Sequence, residues 1–345
     1  MDKKDMALYG LADRNSAPGE PYETGRIVSQ EKGMYLMVTK NGEMRAEVSG
    51  KMRYNAVSAK DFPAVGDFVV ADCRNDIGVI HSVLERKSLI LRKAAGSDNK
   101  EQPVAANVDT VFICMSLNND FNIRRLERYL SVVWESGAVP VTVLTKSDLC
   151  ADTESLKLEA EEAAFGTDII VTGSNEPDSA GKLFGYLKAG KTAAFIGSSG
   201  VGKSTLINAL LGEELLLTNG LRNDDKGRHT TTRRELFMLP GGGMVIDTPG
   251  MRELGMWDSG DGIERSFSDI EDLAPLCRFS DCTHTGEPGC AVLKAVEDGV
   301  IKKERLDSYK KLMVENAYSE NTEAYLAEKK KKFIKIAKIN KNRRI

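Results

Sequence analysis

A chain of 345 residues with 41% hydrophobic and 29% charged residues, 31 Gly and 10 Pro has ordinary globular composition, which excludes a collagenous, a wholly disordered or a disulfide-rich secreted protein. The length predicts two or three domains; no run approaches the ~18 to 20 apolar residues that cross a bilayer, and the first twenty residues lack the apolar core of a signal peptide, so a cytoplasmic protein without membrane contact is expected. The net charge of −3 conceals a segregation, because residues 329–344 hold nine Lys or Arg and no acidic residue, leaving residues 1–328 at −12.

Residues 1–23 carry no pattern and read as an N-terminal tail. From 24 to 94 the pattern is short and β-like, with runs at 25–30, 33–38, 43–48, 67–73 and 76–83 and a turn at Asn41-Gly42. Several short strands with turn signals predict a small β-barrel, either an OB-fold or an SH3-like barrel, and periodicity does not choose between them. Its Arg26, Arg45, Lys51 and Arg53 suit RNA or plain solubility equally. A polar linker follows at 95–102.

Beyond it, apolar runs alternate with helical periodicity. Residues 108–115 read as a buried strand; Asn122 caps a helix with the apolar face Ile123, Leu126, Leu130, Val133 and Trp134, which Gly137 ends. Strands at 139–144, 168–171 and 192–196 alternate with helices at 152–165 and 182–188, and a glycine-rich turn leads into a helix at Lys203. The expected fold is multidomain α/β, with a doubly wound, mostly parallel sheet at 103–260 whose site lies at the carboxyl ends of the strands. Residues 261–345 form a helical region with a cysteine cluster, helices at 303–315 and 320–339, and the basic tail. That tail suits a polyanionic partner, or is no more than a solvated helix.

Gly197, Ser198, Ser199, Gly200, Val201, Gly202, Lys203 and Ser204 satisfy the phosphate-binding pattern GxxxxGK[ST], followed by Thr205, and they stand between a predicted strand and a predicted helix. Glycines let backbone N–H groups curl round phosphates at a helix N-terminus, Lys203 neutralises β/γ charge, and the Ser204 hydroxyl suits Mg²⁺. Thr145, Lys146, Ser147 and Asp148 directly follow the strand 139–144 and resemble the [NT]KxD guanine signature, in which the Asp carboxylate accepts from guanine N1–H and N2–H₂. Alone, a strand-end Asp is more often simply a helix cap; at a strand end in a chain with a phosphate loop, it reads the base. Thr172, Gly173 and Ser174 resemble the small-residue loop that backs that base. Asp247 and Gly250 form a DxxG element, with Asp247 on the Mg²⁺ side and Gly250 facing the γ-phosphate; His229, Thr231 and Thr232 lie in a hydroxyl-rich stretch suited to a first switch, with either Thr a candidate Mg²⁺ ligand.

Cys73, Cys114 and Cys150 are scattered, whereas Cys277, Cys282, His284 and Cys290 follow the spacing C-x₄-C-x-H-x₅-C. Three thiolates and one imidazole form a closed tetrahedral site for one structural Zn²⁺, with no position left for a catalytic water. Such an ion would order a loop-rich segment too poor in apolar residues to fold alone.

GTPases of the usual order run phosphate loop, switch, DxxG and then guanine signature. Here the guanine signature comes first, so the chain is similar to circularly permuted GTPases. With a barrel before and a Cys/His cluster after, it closely resembles the ribosome small-subunit-dependent GTPase family over essentially residues 24–320, including Pro63-Ala64-Val65-Gly66-Asp67 and Asn107-Val108-Asp109. The resemblance implies an N-terminal OB-fold, a C-terminal zinc domain, and hydrolysis of GTP to GDP by a monomer stimulated by the 30S subunit. It further implies a late role in small-subunit maturation and contact with its rRNA. Met251 stands where Ras-like enzymes carry a water-positioning Gln, so slow intrinsic turnover is expected, with His229 the nearest polar candidate to orient water beside Lys203 and Asp247. Two rivals remain: a zinc-bearing RNA-binding module with a regulatory nucleotide site, and an ATP-driven P-loop enzyme, which Asp148 disfavours.

Overall fold

Strands β1 (Tyr22–Glu31), β2 (Met34–Thr39) and β3 (Gly42–Val48) form an antiparallel meander in the computed structural model, which describes residues 5–11, 19–31, 33–93, 101–118, 120–174, 178–213, 234–247 and 260–320. Helix α1 (Gly50–Asn55), capped by Ser49, precedes β4 (Phe68–Asp72) and β5 (Ile77–Val83). β3 pairs β5 in parallel, β5 pairs β4, and β4 returns to β1, closing a five-stranded barrel in the order 1-2-3-5-4-1. That closure, with a helix between the third and fourth strands, is the OB topology, so the choice left open by periodicity falls to the OB-fold. A bulge between Ile27 and Ser29 lets β1 bend round two neighbours.

Strands β6 (Leu89–Lys93) and β7 (Glu101–Ala106) pair as a separate antiparallel ribbon. Glu101 and Gln102 are therefore strand residues, not linker; the rest of the expected linker, 95–100, lies outside the described residues. The barrel boundary also moves, since β1 begins at Tyr22 within the expected tail, and residues 5–11 of that tail turn against the body, where the Arg26 guanidinium donates to Tyr9 O (2.5 Å).

The central sheet follows: β8 (Thr110–Ser116), α2 (Ile123–Glu135), β9 (Val139–Thr145), α3 (Thr153–Ala163), β10 (Asp168–Val171), β11 (Thr192–Gly197), α4 (Lys203–Leu211), β12 (Arg234–Met238) and β13 (Met244–Asp247). Its order is β10-β9-β8-β11-β13-β12, the first five parallel and β12 antiparallel. All seven residues of β8 are buried, as a strand covered on both faces requires. Phe112, Cys114, Val141, Val143, Ala193 and Phe195 pack on Leu206, Ile207, Leu210 and Leu211 of α4; α2 packs on β8 and β9. Asn122 caps α2 by accepting from Arg125 N (3.0 Å), and Asp152 caps α3 by accepting from Ser155 N (3.1 Å). The expected helix at 182–188 is a 3₁₀ segment, Gly181–Tyr186.

β12 also pairs β1, with Ser29 opposite Glu235 and Gln30 opposite Arg234, so the barrel and the central sheet are continuous. The chain divides into two compact units, Met1–Gly255 and Met256–Ile345. A buried polar cluster joins the barrel to the sheet. Arg26, 1% exposed, donates to Gly66 O (3.2 Å) and Thr192 Oγ1 (2.8 Å); Asn107 also donates to Gly66 O (3.1 Å); and Arg86 pairs with the fully buried Asp67 (2.7 Å). Asp109 accepts from Lys87 (2.6 Å), Lys191 (3.1 Å) and Thr192 N (2.9 Å). The sequence motifs at 63–67 and 107–109 thus meet at the start of β11. Arg26, Arg86, Lys87, Asn107, Asp109 and Lys191 line a cavity of about 770 Å³.

The second unit holds α5 (Gly260–Ser266), α6 (Ser268–Glu271), α7 (Ala291–Glu297) and α8 (Lys303–Glu320) round Ile263, Phe267, Ile270, Val292, Leu306 and Leu312. Arg305 forks onto Asp269 (2.6 and 2.7 Å) and stacks over Phe267, 4.6 Å from its centroid. Helix α8 runs unbroken past the expected stop at 315; the helix expected at 320–339 and the basic tail lie outside the described residues, apart from Glu320. Among the described residues, no helix is long and apolar enough to cross a membrane.

Candidate nucleotide site and metal centre

Parallel strands deliver their carboxyl ends to one edge, so the loops after β9, β10 and β11 converge there, and β13 ends at the same edge. The phosphate loop leaves β11 at Gly197, where φ is +139° and a Cβ would stand 2.3 Å from Cys114 O, a position only glycine accepts. Burial pushes the Cys114 thiol up to about 12, which makes it a packing group. Helix α4 begins at Lys203, with Ser204 half-buried and Thr205 exposed in its first turn. Lys203 Nζ donates to Gly197 O (2.7 Å) and Ser198 O (2.6 Å), folding over the loop it belongs to. Ser199 and Gly200 are exposed, whereas Val201 is buried in the core under α4.

The base loops interlock. Asp148 Oδ1 accepts from Ser174 N (2.8 Å), Ser147 N donates to Thr172 O (3.2 Å), and Thr172 N donates to Leu144 O (2.8 Å). A Cβ on Gly173 would meet Ser147 Oγ at 2.2 Å and Asp148 Oδ1 at 2.9 Å, so a side chain there would push both groups from their places between the loops. The amide of Ser174 holds the Asp148 carboxyl below its ordinary value, keeping an ionised acceptor with lone pairs to spare. Lys146 takes the left-handed conformation, φ +59°, that turns the chain out of β9.

Three residues grouped with the nucleotide face elsewhere. Thr145 is buried and its Oγ1 donates to Val201 O (2.6 Å); Thr172 is buried with Oγ1 toward Leu144 O (3.3 Å); Val201 fills the core. Each is a β-branched residue at a strand end or loop shoulder, where packing claims the side chain. Ser179, which sequence reasoning missed, donates to Gly173 O (3.0 Å) and accepts from Gly173 N (3.3 Å). Asp247 ends β13 beside β11; Gly250, His229, Thr231, Thr232 and Met251 lie outside the described residues.

In the second unit the ligand atoms of Cys277, Cys282, His284 and Cys290 all lie within 4.8 Å of one another. Cys277 Sγ stands 3.8 Å from Cys290 Sγ and 3.7 Å from His284 Nδ1, and His284 Nδ1 stands 3.3 Å from Cys290 Sγ. A tetrahedron with metal–sulfur bonds of about 2.3 Å and metal–nitrogen bonds of about 2.0 Å has edges near 3.5 to 3.8 Å, so the cluster fits Zn²⁺. No disulfide joins the described cysteines. Glu287, absent from the sequence pattern, accepts from the hydroxyl of Thr283 and the amides of Thr283, Thr285 and Gly286, bracing the loop that carries His284; the Thr283 hydroxyl, with the Gly286 amide, holds its carboxyl far below the ordinary value.

A phosphate loop and an interlocked base loop at the same edge of the sheet, joined by the Thr145–Val201 bond and in reversed chain order, define a circularly permuted P-loop GTPase built onto an OB barrel, with a Cys₃His domain after it. The family described as RsgA GTPase matches residues 83–257, and one described as 50S ribosome-binding GTPase matches 192–334. The small ribosomal subunit biogenesis GTPase RsgA 2 of Lactiplantibacillus plantarum is 48% identical over 91% of this chain and 90% of its own length. RsgA of Methanosarcina acetivorans is 44% identical over 86% and 80%. The crystal structure of YjeQ from Thermotoga maritima superposes with a TM-score of 0.63 at 29% identity, over 84% of this chain and 97% of that one; YloQ, titled a circularly permuted GTPase, gives 0.63 at 28%, over 89% and 99%. The chain belongs to the RsgA GTPase family.

Proposed function

We propose that this GTPase acts in the cytoplasm as a monomeric late maturation factor of the small ribosomal subunit, hydrolysing GTP to GDP and phosphate when the 30S particle completes its site. The observation that carries the reading is the junction of Asp148 with Ser174 at the end of β9 and β10, beside the phosphate loop of β11. Asp148 accepts from the guanine edge, with Lys146 along the ring. The 197–202 amides hold the phosphates. Lys203 exchanges loop carbonyls for β/γ oxygens. Ser204 and Asp247, with Thr231 or Thr232, are the residues that would hold Mg²⁺, which when bound neutralises phosphate charge. His229 orients the attacking water in the absence of a Gln at Met251. One Zn²⁺ on Cys277, Cys282, His284 and Cys290 is structural. Barrel, zinc domain and basic tail contact rRNA. The test is GTP hydrolysis with and without purified small subunits: marked stimulation is expected, and equal negligible turnover in both would favour a regulatory RNA-binding module.

A further inference from the structure

Arg125 lies in the first turn of α2, outside every motif, yet its guanidinium meets the phosphate loop. Nη1 donates to Ser198 Oγ and to Asp120 Oδ1 (2.9 Å), and Nη2 donates to Asp120 O (2.8 Å). Asp120 therefore fixes the planar fork on one side and leaves a donor aimed at the second residue of the loop. The Asp120 side chain is 41% exposed, so solvent screens its pairing with Arg125 and the contribution to overall stability is small.

Ser198 is gripped twice, since Lys203 Nζ holds its carbonyl as well as that of Gly197. An ammonium has three donors, and two of those on Lys203 are engaged with loop carbonyls, so to serve both β- and γ-oxygens it must release at least one of them, and the loop loses that internal bond in the same event. The loop's phosphate-binding geometry then rests on contacts Lys203 does not make. Thr145 holds one end through Val201 O, and Arg125 holds the other through Ser198 Oγ. We propose that Arg125 is a positioning residue for the phosphate loop. It keeps Ser198 in register while Lys203 turns from carbonyl to phosphate. The inference rests on reading 197–204 as the phosphate site and adds a residue that this reading does not contain.

The test is steady-state GTPase kinetics with amide hydrogen exchange on Arg125→Ala, Ser198→Ala, the double variant, Arg125→Lys, and Arg124→Ala as an exposed neighbour in the same turn. Arg125→Ala should raise KM for GTP about 5- to 20-fold with a smaller change in kcat, and speed exchange at 197–202, with the unfolding midpoint unchanged. Ser198→Ala removes only a loop hydroxyl and should reproduce the KM effect, while the double variant should be no worse than either single one. Lysine restores charge without the fork and should recover only part. Wild-type KM and exchange in Arg125→Ala, additive losses in the double variant, or an equal loss in Arg124→Ala would overturn the assignment. Failure of the unaltered protein to bind GTP would instead sink the reading beneath it.

Discussion

Thr145 Oγ1 donates to Val201 O across 2.6 Å, tying the strand that ends in the base loop to the helix-side end of the phosphate loop. Both residues are buried, so removing the donor leaves a carbonyl unpaired in the core. Thr145→Val should cost about 1 to 3 kcal/mol of stability and weaken GTP binding, whereas Thr145→Asn, which keeps a donor, should bind GTP much as the unaltered protein does. Denaturant midpoints and nucleotide titration of the two variants check this.

Asp148→Asn puts an amide donor against guanine N2–H₂. GTP affinity should fall about 30- to 1,000-fold, and affinity for XTP, which carries oxygen at that position, should rise. Gly173→Ala should impair GTP without the gain in XTP, because it displaces Ser147 and Asp148 instead of changing their chemistry. Competition of GTP, XTP and ATP decides the matter; an unchanged preference in Asp148→Asn would show that the loop does not read the base.

About one Zn²⁺ per chain is expected on elemental analysis. Cys282→Ser should abolish it, and Glu287→Ala should speed its loss to a chelator by loosening the loop that carries His284. Folded protein purified without zinc would refute the centre.

Burial alone would raise the Asp109 carboxyl, but bonds from Lys87, the Thr192 amide and Lys191 bring it below its ordinary value of 3.8. A depressed folded value contributes stability that is present above the unfolded value and lost as pH falls through the folded one. Asp109→Asn should therefore be less stable than the unaltered protein at neutral pH, and the gap should narrow as pH drops below 3.8. A gap that stays constant down the acid limb would remove Asp109 from the joint between barrel and sheet.

Deleting residues 329–345 removes nine cationic side chains from a chain whose remainder carries −12. Association with small subunits should weaken and its salt dependence flatten, because fewer phosphate counterions are released. Identical affinity and salt slope in the truncated chain would make the tail a solvated terminus.

What the sequence discloses and what it withholds have separate physical causes. β8 is legible because it is buried on both faces and therefore reads as an apolar run, and Asn122 is legible because a cap acts on its own helix. The zinc ligands are legible for the same reason of short range, all four falling within fourteen residues. β7 is hidden by Pro103 and two polar residues at its start, and β12, Arg-Glu-Leu-Phe-Met, has too few apolar residues to announce a strand; its partners β1 and β13 supply the order. The side chains of Thr145 and Thr172 turn away from the ligand because of packing that no motif records. Arg125, Ser179 and Glu287 reach the sites from outside the motifs altogether.

β12 has a hydrogen-bonded neighbour on each side, β13 on one and barrel strand β1 on the other. A nucleotide domain excised at the barrel's end would strip Arg234 and Glu235 of β12 of their strand partners and leave β12 the sheet's open edge, the template on which sheets of separate molecules join. The barrel is thus an edge guard for the GTPase sheet as well as a domain in its own right. Fragments that begin after β5 should come out of expression as oligomers or aggregates, however intact their nucleotide motifs.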